Sequence, residues 1–426
     1  MKQSVIVAAC LAMLSLAIIA APAAGQIDRV KQGVGFTCLV HRDVKQPMPG
    51  KCPTCGLDLM PAGKVDQGGL KAGETFKMAG GTATVKELTT LPLVKNWCSE
   101  RFKFDCHGDA SLEKLRAQEK LDEVTAKGKT EFEKQVLLLN WAHKRFKLFG
   151  SPTKKGVEGK PLAILAAIDE GNAFNCMYYA TVLRSALQSC GYVVREIGLK
   201  GAKSDGNGTD HGVVEVWSNQ HRRWVMLDPT LDVYFTKGGL PLNAFEVRQD
   251  WFYNEGKDLG IVVGTEPKVY TKADLPIARG THKGFGTLML KGESIAKLLF
   301  ISYTPINADG SPDYGQMFIT KDKLCEGIQY HTRRNPEKPA EEPYYPVQQA
   351  SVLVLPWDAT QVKVWTLTLT PDFKTFRYRL DGKAWADGGA NLMWTLHKGE
   401  NTLEAVSTNK FGVEGAASKI VIDVQP

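Results

Sequence analysis

A cysteine at the start of a half-buried helix, followed by a histidine and an aspartate at the ends of two strands, constrains this chain most. The run Gly171-Asn172-Ala173-Phe174-Asn175 leads into Cys176. Ala180, Leu183 and Leu187 then recur at helical steps. The spacing predicts a helix from about Asn175 to Ser189 with one buried face, stopped by Gly191. β-Branched and aromatic residues dominate Tyr192–Leu199, Gly212–Trp217 and Arg223–Leu227, which read as strands. His211 opens the second strand after the polar stretch Ser204–Asp210, and Asp228 closes the third, just before Pro229-Thr230. Two adjacent strands can set His211 beside Asp228, facing the helix end. A thiol nucleophile needs a lowered pKa, a base within reach and a group that orients the base. The partial positive charge of a helix N-terminus favours a thiolate. Cys176, His211 and Asp228 are candidates for these three roles.

Helical periodicity upstream predicts helices over about Ser111–Lys127, Thr130–Leu148 and Pro161–Glu170. Trp141 and His143 fall on the second, with Trp141 read as core packing. From about Phe285 onward the chain reads as strands separated by turn residues, with Asp381-Gly382 a hairpin signal. Arg333–Tyr345, rich in Pro and Glu, reads as a loop or linker.

A chain of 426 residues is too long for one ordinary core. The first 25 residues read as a secretory signal: Lys2, an uncharged run from Val5 to Ala21, then small residues at a cleavage spacing. That run is too short for a transmembrane span, which needs about 20 residues. The expectation is export to the periplasm or beyond, with no span left after cleavage. The net charge of +7 is modest and spread along the chain. It reads as a solvated surface, and no nucleic-acid motif accompanies it. Of the eight cysteines after Cys10, two further pairs can be drawn in an oxidising compartment, Cys98 with Cys106 and Cys190 with Cys325.

Cys38-x-x-His41 is followed by Cys52-x-x-Cys55. Two such pairs suit one tetrahedral ion, with Zn2+ the first choice. A segment this short has no core of its own, so the metal would supply the folding energy. The alternative is a disulfide from Cys38 to Cys52 or Cys55. The wording Phe36-Thr37-Cys38-Leu39-Val40-His41 and Pro49-Gly50-Lys51-Cys52-Pro53-Thr54-Cys55-Gly56-Leu57-Asp58-Leu59 resembles the heavy-metal-binding domain of bacterial copper and zinc efflux components. That family usually has methionines where this chain has Val40 and Leu57, and fewer thioethers favour zinc over copper(I).

Cys176 with Gly191–Arg195, His211-Gly212-Val213-Val214-Glu215-Val216 and Trp224-Val225-Met226-Leu227-Asp228-Pro229-Thr230 resembles the transglutaminase-like superfamily. The resemblance implies an α+β, papain-like core over about residues 111–260. It also implies Cys176 as nucleophile, His211 as base and Asp228 as orienting acid, with no cofactor needed. Phe174 stands where the family usually has Gly, and Gly212 where it commonly has Ala. The implied reaction is acyl transfer through a thioester, on a protein or peptide or on a cell-envelope polymer. Water as acceptor gives a protease or amidase, and an amine gives a cross-link. The rival reading is a non-catalytic envelope scaffold that reuses the fold.

The expected organisation is a signal at 1–25, a small zinc-ribbon-like metal knuckle at 30–62 and a linker with a short strand at 63–110. The transglutaminase-like domain follows at 111–260, then a β-sandwich at 280–426. The ending of the chain resembles immunoglobulin-like modules. Trp365, Trp385 and Trp394 read as core residues there, with a binding surface the alternative.

Overall fold

The computed structural model describes residues 35–38, 41, 43–54, 59–62, 69–201, 210–282, 286–296, 299–305, 317–320, 323–325 and 337–426. It divides into two units, 1–70 and 71–426. The expected signal at 1–25 lies outside the described residues.

In the first unit, three two-residue strands form one antiparallel sheet: β1 (Phe36–Thr37), β2 (Lys45–Gln46) and β3 (Met60–Pro61), in the order β2-β1-β3. Among the described residues its interior holds Cys38, Cys52 and Leu59, with Phe36 and Val44 against them, and Met60 and Ala62 are also buried.

The second unit begins with β4 (Thr75–Met78) and β5 (Gly81–Thr89), followed by a helical layer. Its helices are α1 (Trp97–Arg101), α2 (Ala110–Gln118), α3 (Leu121–Thr125), α4 (Glu131–Arg145), α5 (Pro161–Asp169) and α6 (Cys176–Ser189). Their starts follow local chemistry. Asp109 caps α2, Thr130 and Glu133 form a capping box on α4, and Pro161 opens α5. The single helix expected over Ser111–Lys127 is instead two, broken at left-handed Lys120 (φ 53°). Leu115 and Leu121 are both fully buried. Six residues apart, they would point about 120° away from each other on one continuous helix, and the turn lets both face the core.

A long sheet follows. Its strands are β6 (Val194–Lys200), β7 (Asp210–Ser218), β8 (Arg223–Asp228), β9 (Val233–Lys237) and β10 (Leu240–Pro241). After α7 (Ala244–Tyr253) come β11 (Gly260–Val263) and β12 (Val269–Tyr270). A separate hairpin, β13 (Ile277–His282) and β14 (Gly286–Leu290), leads through α8 (Gly292–Ala296) to β15 (Phe300–Tyr303), β16 (Phe318–Thr320) and β17 (Glu337–Lys338). The strand order is β12-β11-β9-β8-β7-β6-β15-β16-β17, with β10 on β9. One face, with Val194, Val214, Val216, Val225 and Leu227, packs on Leu139 of α4 and Leu183 and Leu187 of α6. The other, with Val213, Trp217, Trp224 and Met226, packs on Phe102, Phe104, Val247, Tyr345 and Val347. Each fully buried aliphatic side chain contributes about 1.5–3 kcal/mol, so this two-sided core fixes the ends of β7 and β8.

The last strands are β18 (Ser351–Pro356), β19 (Gln361–Leu367), β20 (Phe373–Leu380), β21 (Ala386–Gly388), β22 (Asn391–Thr395), β23 (Gly399–Asn409) and β24 (Ser418–Gln425). They make two sheets, β18-β19-β22 and β21-β20-β23-β24-β5-β4. Tyr378 joins them, its hydroxyl donating to Thr366 Oγ1 at 2.8 Å.

Two expected boundaries differ from this arrangement. The segment 63–110, expected as a linker with one short strand at Thr82–Leu88, has β5 there, adds β4, and pairs β5 with β24. The region expected to be sandwich from 280 supplies β15, which pairs with β6 of the long sheet. Neither pairing has a local signature, because each joins strands far apart in sequence. Arg333–Tyr345 is likewise more than a linker, since Tyr344 and Tyr345 enter the core. Among the described residues no helix is long and apolar enough to cross a membrane.

Candidate active site

Cys176 is the first residue of α6, and the Asn175 side chain caps that end by accepting from Met177 N at 3.1 Å. Phe174 sets the approach. It is fully buried, packs on Tyr178 (ring centroids 4.7 Å apart) and Phe146, and its carbonyl accepts from Gly150 N. A large side chain here anchors the loop in the core, where the resemblance led one to expect glycine.

His211 and Asp228 project from β7 and β8 on the same side of the sheet. His211 Nε2 meets Asp228 Oδ2 at 2.7 Å. The other carboxylate oxygen of Asp228 accepts from Thr230 N at 2.9 Å and Leu231 N at 3.1 Å. One oxygen is thus fixed by backbone, and the other orients the ring. With Nε2 engaged, Nδ1 is left to meet the thiol. Cys176 Sγ accepts from Gly212 N at 3.3 Å, and the His211 imidazole is near enough to act on the thiol. Gly212 also has a steric reason: a Cβ there would come within 2.5 Å of Met177 Sδ and 3.2 Å of Met177 Cα. Met177 itself is exposed beside the thiol.

The electrostatics single out this cysteine. Burial pushes the Cys176 thiol up, but the hydrogen bond and charge of His211 and the Gly212 N–H outweigh it and hold it below the ordinary thiol value. Burial likewise disfavours charge on His211, yet the Asp228 carboxylate and the Cys176 thiolate raise it to about 10. The arrangement favours a thiolate–imidazolium pair. Cys98 and Cys106 behave oppositely, each pushed by burial up to about 12. They do not pair with each other: Cys98 lies in the core, whereas Cys106 lies against Gln188 and Asp372. Cys190 is also a free thiol, and the side chain of Cys325 lies outside the described residues.

In the first unit the structure brings together Cys38 Sγ, His41 Nδ1 and Cys52 Sγ, all within 4.8 Å of one another. The two sulfurs lie 3.8 and 3.6 Å from His41 Nδ1. A tetrahedral zinc with Zn–S of about 2.3 Å and Zn–N of about 2.05 Å sets sulfur and nitrogen about 3.6 Å apart, so these residues fit the ion. The expected fourth ligand, Cys55, lies outside the described residues.

Other candidates settle into packing. Trp141 packs against the helical core, and His221 lies edge-on to Phe132. Trp365 and Trp394 are buried, whereas Trp385 is half-buried under the Arg379 guanidinium, 4.9 Å from its ring.

Sequence reasoning quoted Arg195 and Glu215 but gave them no role. Both are buried and form a two-pronged ion pair, Nε and Nη2 of Arg195 reaching Glu215 Oε2 at 3.0 and 2.8 Å. Arg195 Nη1 donates to Pro343 O at 2.6 Å, and its guanidinium lies 4.0 Å over the Trp224 ring. Glu215 Oε1 accepts from Ala244 N at 2.9 Å and from Tyr344 OH at 3.0 Å. This network knits β6, β7, α7 and the 343–345 segment beneath the strand that carries His211. Its signal in sequence was charge at positions of otherwise apolar strands.

The sequence profile of the transglutaminase-like superfamily matches residues 118–229. No curated protein matches the chain. Among solved structures, one from Cytophaga hutchinsonii, provisionally named a cysteine protease, shares 14% identity over 35% of this chain, with a TM-score of 0.25. This chain spans 49% of that structure, about half its length. Another, from Parabacteroides distasonis and provisionally named a protease, shares 11% identity over 84% of this chain and 68% of its own, with a TM-score of 0.20. Residues 118–229, which carry the clustered thiol, imidazole and carboxylate, form a transglutaminase-like domain.

Proposed function

We propose that this domain is a thiol acyl-transfer catalyst acting on amide bonds of a protein, peptide or cell-envelope polymer. The observation that carries the reading is one thiol, Cys176, that accepts from Gly212 N–H beside an imidazole held 2.7 Å from a buried carboxylate. In the proposed reaction the Cys176 thiolate attacks the carbonyl carbon. The Cys176 N–H, in the first helical turn where such groups have no intrahelical partner, donates to the oxyanion. The C–N bond breaks as His211 gives its proton to the leaving amine, and a thioester remains on Cys176. Water, or a second amine, then attacks the thioester while His211 takes its proton, and the thiol is released. Asp228 keeps the imidazole turned toward sulfur. Hydrolysis is the preferred outcome outside the cell.

The remaining parts of the reading are accessory. The fit of Cys38, His41 and Cys52 supports a zinc held with Cys55, in a structural or docking role. The apolar run after Lys2 supports export to the periplasm or beyond. The two C-terminal sheets are read as an immunoglobulin-like spacer or binding module.

The test is the pH dependence of Cys176 alkylation by iodoacetamide, located by mass spectrometry, in the intact protein and in His211→Ala. The thiolate forms as pH rises through the lowered Cys176 pKa, and the paired imidazolium persists up to about pH 10. Labelling should therefore be rapid well below pH ~8.5, the free-thiol value, and lose that acid reactivity in the variant. Slow labelling at low pH that is indifferent to His211 would leave a scaffold rather than an enzyme.

A further inference from the structure

The loop that leaves the catalytic carboxylate is held from within the matched domain by α4 and from outside it by Arg279 and Gly264. From Asp228 the chain runs through Pro229, Thr230 and Leu231 into Asp232, whose backbone is left-handed (φ 52°) and whose side chain is buried. Asp232 Oδ2 accepts from Asn140 Nδ2 of α4 at 2.8 Å and lies 3.4 Å from Arg279 Nη2 of β13. Its backbone carbonyl accepts from Gly264 N at 2.6 Å. Arg279 also donates from Nε to Leu231 O at 2.7 Å. Leu231 N, in turn, is one of the two donors on Asp228 Oδ1. Also from α4, His143 Nδ1 lies 3.1 Å from Pro229 O. The charged groups facing Asp232 are His143 and Lys144 of α4 and Arg279.

This is an expensive way to make a turn. Aspartate tolerates the left-handed backbone, but a buried carboxylate must recover its lost hydration. Asp232 Oδ1 and Thr230 Oγ1 are buried with no hydrogen-bond partner among the described residues. Gly264 (φ 46°) makes room for the carboxylate: a Cβ there would come 2.3 Å from Asp232 Oδ2. Buried polar atoms left without partners are tolerated where surrounding structure over-determines a geometry. Here the over-determined geometry is that of the two amides that fix Asp228.

We propose that Asp232 and Arg279 are positioning residues, clamping the Asp228–Asp232 loop so that Asp228 stays on His211 and His211 stays on Cys176. The inference rests on the catalytic reading for its purpose, although the clamp is physical and can be observed without turnover. Arg279 pulls on Leu231 O and Asp232 locks the far end of the loop. Their loss lets the Thr230 and Leu231 amides drift, and the Asp228 carboxylate drifts with them.

The test uses the full chain with Arg279→Met, Arg279→Lys and Asp232→Asn, the last because asparagine tolerates a left-handed backbone. Near-ultraviolet circular dichroism confirms that each variant is folded. The deciding readout is the downfield proton resonance of the His211 Nε2–H···Asp228 hydrogen bond, assigned by its absence in His211→Ala. It should be sharp in the unaltered protein, broadened or lost in Arg279→Met and Asp232→Asn, and partly kept in Arg279→Lys. An unchanged resonance in folded variants overturns the inference, whatever the alkylation profile does. Alkylation of Cys176 is measured alongside. Its midpoint should move up by about one pH unit, a roughly tenfold slower reaction on the acid limb. If the unaltered protein shows no acid-shifted labelling, the catalytic reading falls while the proton resonance still decides the clamp.

Discussion

Replacing Tyr344 with phenylalanine tests whether the segment around residue 344 is part of the domain's core or merely lies on it. Tyr344 OH donates to Glu215 Oε1 at 3.0 Å, shares a 2.6 Å contact with Tyr303 OH and accepts from Phe245 N at 3.2 Å. Losing a hydrogen bond to a charged group costs about 1.5–3 kcal/mol, and depriving other buried groups of a partner costs about 1–3 kcal/mol more. Tyr344→Phe should therefore destabilise by about 3 kcal/mol. Glu215→Gln strands the Arg195 guanidinium, which is 1% exposed, and should cost about 3–5 kcal/mol. Because the two changes remove the same hydrogen bond, the double variant should fall short of the sum by about 1–2 kcal/mol. Urea unfolding followed by tryptophan fluorescence reads all three, with Trp224 directly under Arg195. A Tyr344→Phe cost below about 1 kcal/mol at unchanged m-value, or strict additivity, would refute the reasoning.

Two further outcomes are expected. Gly212→Ala should slow Cys176 alkylation at pH 6 at least severalfold and cost about 1–3 kcal/mol, since the new methyl meets the Met177 backbone as well as its flexible thioether; wild-type labelling would show that the glycine is incidental. Cys52→Ser should lower the zinc content of purified protein, measured by atomic absorption, and leave the melting of the second unit unchanged; full retention of zinc would place the metal elsewhere.

Local signals were the readable ones. The cap at Asn175, the step pattern of α6 and the strand ends at His211 and Asp228 lie within 54 positions of one another and specify their own geometry. The helix break at Lys120 was hidden, because nothing in the polar stretch Gln118–Lys120 opposes a helix; only the joint burial of Leu115 and Leu121 does. Arg279 and Tyr344 could not be found from the motif, since each acts through a hydrogen bond spanning dozens of residues or more. The reason Phe174 stands where the family usually has Gly is visible only in three dimensions, where its ring packs on Tyr178 and Phe146.

The pairing of β5 with β24 bears on how the molecule is made. Lys419 and Glu87, an ion pair across that pairing, are 332 residues apart. Closing a loop of that length costs about 5 kcal/mol of chain entropy before any contact repays it. β24 lies between β23 and β5, so this sheet cannot assemble until β24 has left the ribosome. Until then β5 and β23 both present unpaired edges, which are templates for aggregation. A chain wired this way folds late and slowly, and its unpaired edges stay exposed for as long as that takes.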